Sequence, residues 1–172
     1  MVEEEISPAA LPLSFITQWW KEDSTIITHT PDTHRILSAD TPLPPEYTIK
    51  VLVNECSKLE YCMLGLSDKL CDIKGRSYLG ERELGVLGFC FSNVTNREGN
   101  WEWHNSKVNV KDEVVLCGDY LKIIIFVNGE KRQTLKLQTQ YSELYLACHL
   151  YGVCNFEIIE VLPSKLYNDN EE

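Results

Sequence analysis

The chain has no apolar run near the roughly 18 residues a membrane helix needs, no Cys-x-x-Cys pair and no excess of basic residues. The first absence excludes a spanning helix. The N-terminus, Met-Val-Glu-Glu-Glu, lacks the basic start and following apolar stretch of a secretory leader, so a cytoplasmic protein is expected. Only 16 Lys and Arg stand against 26 Asp and Glu, a net charge of −10, and such a surface repels phosphate backbones. Six of the acids (Glu3, Glu4, Glu5, Asp169, Glu171, Glu172) sit at the two ends, leaving 20 acids against 16 bases in the body. Nucleic acid and membrane are therefore not expected partners. There is no internal repeat, and almost no helical periodicity: "LSFITQWWKE" (13–22) alone offers a short helix or turn.

Seven cysteines are present, an odd number with no regular spacing. Cys56, Cys62, Cys90, Cys117, Cys148 and Cys154 fall within apolar stretches, where a reduced thiol acts as a small hydrophobe. Seven free thiols are expected rather than a disulfide framework. The sequon Asn93-Val94-Thr95 would then go unused.

The chain is rich in short strand-like runs. They are 24–30, 47–53, 61–67, 85–92, 100–104, 119–127, 133–138, 143–150 and 154–162, mostly separated by Pro, Asp, Asn or Gly. Asn128-Gly129 between two such runs is a strong hairpin signal, because both central residues of a type I′ turn need positive φ. Many strands with little helix argue for an all-β, two-sheet antiparallel β-sandwich. At 172 residues the body is one domain, spanning 15–162, with a lead-in at 1–14 and an acidic tail at 163–172.

The order of motifs adds a family resemblance. Leu64-Gly65-Leu66-Ser67, Trp101-Glu102-Trp103, Gly118-Asp119, Phe126-Val127-Asn128-Gly129 and Leu146 to Gly152 follow one another as in SPRY domains. The chain resembles that family over about residues 17–162, with 22–44 similar to its N-terminal strand pair. It departs from the pattern between Cys71 and Val86, and it lacks the proline usual before the penultimate strand. The resemblance implies a bent β-sandwich that binds a protein or short peptide through loops at one end. No RING-type Cys/His cluster accompanies it, so no ligase activity is expected.

The resemblance also implies site residues. The loop after the first strand supplies Thr30, Pro31 and Asp32, a later loop Tyr78, and the turn before the last strand Leu150, Tyr151 and Gly152. Tyr151 would offer an apolar face with a hydroxyl, and Gly152 a close approach for a ligand backbone.

Catalytic and metal readings are weaker. His29, Asp32 and His34 match no zinc spacing. Cys148 and His149 are adjacent in a strand and point to opposite faces, and Cys148 with His104 has no activating motif. Gly75 to Gly80 has the glycine spacing of a phosphate loop, but Glu81-Arg82 replace its Lys and Ser/Thr. Phe89 and Phe91 fit a core better than an RNA-stacking strand. Trp101 and Trp103 share one strand face, in the core or at a binding rim. The expectation is a non-enzymatic adaptor with no cofactor and no metal. A carbohydrate-binding sandwich is the alternative, and a cysteine- or metal-dependent enzyme the further one.

Overall fold

Strand pairing organises nearly everything in the computed structural model, which describes residues 25–75, 86–91, 107–137 and 141–167, and the backbone of 103–105. Tyr78, Trp101 and the stretch 13–22 lie outside the described residues. The strands are β1 (Ile26–His29), β2 (Arg35–Ser38), β3 (Glu46–Cys56), β4 (Met63–Ser67), β5 (Asp72–Lys74) and β6 (Leu87–Cys90). They continue with β7 (Trp103–Asn105), β8 (Glu113–Asp119), β9 (Lys122–Val127), β10 (Glu130–Lys136), β11 (Tyr145–Leu150) and β12 (Cys154–Leu162). A 3-10 turn, Leu59–Tyr61, precedes β4.

Two six-stranded sheets form, ordered β1-β12-β3-β8-β9-β10 and β5-β2-β11-β4-β6-β7. All described pairs are antiparallel except β6 with β7, which run parallel. The all-β sandwich expected from the sequence is therefore the fold. The two N-terminal strands are divided between the sheets: half-buried β1 joins β12 in one, and β2 joins β11 in the other. The Pro31–Thr33 bend carries the chain across the gap between the sheets.

Period-two burial builds the core. Tyr47, Ile49, Val51 and Val53 of β3 face Leu64 and Leu66 of β4 and their neighbours, and all are buried. The run Ile123 to Val127 is buried on both faces: Ile123 and Ile125 enter the main core, while Ile124 and Phe126 join Val115 and Cys117 in a small outer cluster. Residues 163–167, expected as part of the tail, lie against that outer face. Thr48 Oγ1 donates to the Ser164 carbonyl at 2.8 Å, and the Tyr167 ring sits 4.2 Å from that of Phe126.

The Gly-Asp and Asn-Gly motifs have local backbone reasons. Asp119 Oδ1 accepts the amides of Leu121 and Lys122 at 2.8 and 2.9 Å, closing the β8–β9 turn. At the β9–β10 turn Asn128 and Gly129 have φ of 51° and 81°, the type I′ signature. Asn128 Oδ1 also accepts the Glu113 amide at 2.9 Å. A Cβ on Gly129 would meet nothing within 4 Å, so only backbone strain opposes a side chain there. Gly129→Val is expected to cost about 1 kcal/mol or more, and Gly129→Asn much less, because Asn tolerates positive φ. Equal thermal midpoints for the two variants would count against the turn assignment.

Candidate functional site

Three of the crossings between the sheets lie at one end of the sandwich. They are Thr30–His34 between β1 and β2, Ser57–Cys62 between β3 and β4, and Tyr151–Val153 between β11 and β12. Hydrogen bonds tie them together. The Gly152 amide donates to the Pro31 carbonyl at 2.9 Å, the Val153 amide to Ser57 Oγ at 3.0 Å, and the Ser57 amide to the Val153 carbonyl at 2.9 Å. The sequence-expected loops 30–32 and 150–152 are thus brought together, 120 residues apart in the chain.

Within this cluster the expected residues play different parts. Thr30, Pro31 and Asp32 are exposed, and Tyr151 is half-buried. Leu150 is fully buried in the core, so its side chain is not available to a partner. Gly152 is also enclosed: a Cβ there would lie 2.6 Å from Ser57 Oγ and 3.2 Å from Asp32 Oδ1. Its φ of 68° and this crowding explain the glycine as a turn requirement, not as space left for a ligand.

An aromatic group surrounds Tyr151. The His34 ring lies 4.6 Å from that of Tyr151, and the Tyr61 ring 5.0 Å from it, edge-on. His34 Nδ1 is 2.9 Å from His149 Nε2, so one of the two nitrogens carries the proton and the other accepts it. Beside this group opens a pocket of about 340 Å³, lined by Thr28, Thr30, Pro31, His34, Arg35 and Lys74 among others. Arg35 is oriented by a two-point contact with Asp72, at 2.9 and 3.1 Å. Sequence reasoning weighed His34 only as a metal ligand and His149 only beside Cys148, and passed over Tyr61, because their convergence depends on pairings of β2, β4 and β11 that no local motif encodes.

The residues weighed for chemistry are dispersed. His29 Nδ1 faces the Gly152 carbonyl at 2.9 Å while His34 turns to His149, so His29, Asp32 and His34 do not converge. Cys148 is in the core, where burial pushes its thiol up, and it donates to the Leu37 carbonyl at 3.6 Å. Phe89 and Phe91 are core residues. Among the described residues, the group of potential metal ligands that does converge is Cys56, Cys62 and Cys154.

No family model matches the chain, and no curated protein matches it in sequence. Solved structures match the fold. The SPRY domain of human HERC1 is 17% identical with a TM-score of 0.50, over 78% of this chain and 87% of that one. A second human SPRY domain is 12% identical with a TM-score of 0.53, over 78% of this chain and 90% of that one. The carbohydrate-binding module CBM66 from Bacillus subtilis reaches a TM-score of 0.43 at 10% identity, over 78% and 83% of the two chains, and bears on neither fold nor function. The architecture is that of SPRY domains. Among the described residues no helix is long and apolar enough to cross a membrane.

Proposed function

We propose that the end of the sandwich formed by Thr30–His34, Tyr61 and Tyr151 docks a short segment of a protein partner, without catalysis. The observation that carries this reading is the half-buried Tyr151 ring, held by His34 and Tyr61 beside an open pocket. A tyrosine fixed by neighbouring rings presents a large contact area with little rotamer entropy left to lose, which is how interface hot spots work. Threonines and histidines line the pocket with Pro31, and Asp32 in the same loop is exposed. Such groups suit the amides and carbonyls of an extended peptide. The strands fix the loops, so recognition is pre-organised.

The test is a displayed peptide library selected against the protein, in parallel with a glycan array, with affinities of the hits measured by calorimetry. Peptides that bind support the reading. Glycans that bind where no peptide does would replace it with the carbohydrate reading.

For a selected peptide, Tyr151→Ala is expected to weaken binding by about 1–3 kcal/mol. Because the ring also packs on the core edge, some melting temperature will be lost too. Affinity is therefore read well below the midpoint of the variant. Leu121→Ala, at the opposite end and exposed, should leave affinity unchanged. Equal losses from both variants would sink the assignment.

A further inference from the structure

We propose that Cys56, Cys62 and Cys154 are ligands of a structural zinc(II) ion, with the His29 imidazole as fourth ligand, beneath the Tyr151–Gly152 turn. The three sulfurs come from the end of β3, the residue after the 3-10 turn and the start of β12. All lie within 4.8 Å of one another, and those of Cys62 and Cys154 are 3.5 Å apart. Zinc–sulfur bonds of about 2.3 Å in a tetrahedron put sulfurs about 3.8 Å apart, so little movement separates the present spacing from a coordinated one.

Packing alone also brings buried thiols together, but two further features point to a ligand set. Cys62 and Cys154 both direct their sulfurs at one acceptor, the Tyr151 carbonyl, at 3.6 and 3.2 Å. The second feature is His29, the cross-strand partner of Cys154 and buried with it; its ring nitrogens stand outside the group of sulfurs within 4.8 Å, so it would close the site by a shift of its side chain as zinc binds. Its Nδ1 lies 2.9 Å from the Gly152 carbonyl, which can only accept. In the neutral ring Nδ1 therefore holds the proton and Nε2 keeps its lone pair. A carbonyl that fixes the tautomer in this way is the usual companion of a metal-bound histidine.

The metal–ligand step is balanced by proton release. The thiols lose their protons to solvent as zinc binds, so affinity rises with pH. Bound zinc would tie β3, β12 and the 3-10 turn together and stiffen the Tyr151–Gly152 turn. The site itself does not depend on partner binding.

The experiment uses the full chain prepared under reducing conditions. Metal analysis is expected to find one zinc per chain. Removal by a strong chelator should lower the melting midpoint by on the order of 10 °C, and added zinc should restore it. Cobalt(II) added to the metal-free protein should give sulfur-to-cobalt charge-transfer bands and the visible bands of a tetrahedral site. Cys62→Ser should abolish uptake, and Cys148→Ser, a buried cysteine outside the cluster, should retain it. Should Cys62→Ser fail to fold, the cobalt titration of the unsubstituted chain decides alone. His29→Ala should weaken zinc binding at least 10-fold, and unchanged affinity would remove His29 from the ligand set. No zinc uptake by the reduced chain, or a Cys62–Cys154 disulfide in freshly prepared protein, would overturn the proposal.

Discussion

Phe156→Ala is expected to cost about 3–5 kcal/mol of folding stability, the range for deleting a fully buried aromatic ring. Phe156 projects from β12 in one sheet and is fully buried. Its ring lies 5.6 Å from that of Phe91, which follows β6 in the other sheet, and Phe91 in turn lies 6.5 Å from Phe89. The three rings therefore bridge the sandwich, and edge-on pairs of this kind add to the area they bury. The sheets are held by strand ladders and cannot close on the cavity that alanine would leave. Denaturant unfolding is the measurement. A loss below about 1 kcal/mol would mean the ring does not hold the two sheets together.

The second large effect is at Gly118, and its cause is steric. A Cβ there would overlap the Lys122 carbonyl oxygen and stand 2.9 Å from Ile123 Cα, both backbone atoms of the paired strand. No side chain can rotate away to make room. Meanwhile Asp119 holds the turn closed through the Leu121 and Lys122 amides. Gly118→Ala should cost about 3 kcal/mol, the upper part of the overpacking range, and lower the midpoint by on the order of 10 °C. Asp119→Asn keeps an acceptor for the two amides and should cost far less. If the alanine variant melts with the unsubstituted chain, the tight β8–β9 approach is wrong.

These two glycines, 118 and 129, also show what was readable from sequence. Gly118-Asp119 and Asn128-Gly129 stand out because a tight turn depends on a few consecutive residues, and the chemistry that forces it is written locally. Period-two runs exposed most strands for the same reason. β8 falls outside the strand-like runs read from the sequence, which resume only at 119, because Val114 to Cys117 are buried on both faces and so show no alternation. The separation of β1 and β2 into different sheets was also hidden, because only the pairing partners, β12 and β11, reveal it.

The candidate site was legible in part. Strand ends on either side of Pro31 and Tyr151 suggested that the two loops meet, and the Gly152–Pro31 hydrogen bond joins them. Burial could not be read so well. Leu150 follows the inward alternation of β11, and Gly152 is enclosed by side chains from two other segments. Cys56, Cys62 and Cys154 were read as separate small hydrophobes. Cys56 and Cys154 meet through the β3–β12 register, and the 3-10 turn then returns Cys62 to them.

The most direct test of the docking face is hydrogen–deuterium exchange of the protein with and without its best selected peptide. Slowed exchange is predicted at Thr30–His34, Leu59–Tyr61 and Tyr151–Val153, with the opposite end unchanged. Protection confined to Leu43–Glu46 and Asp119–Lys122 would place the partner at the other end of the sandwich and contradict the account.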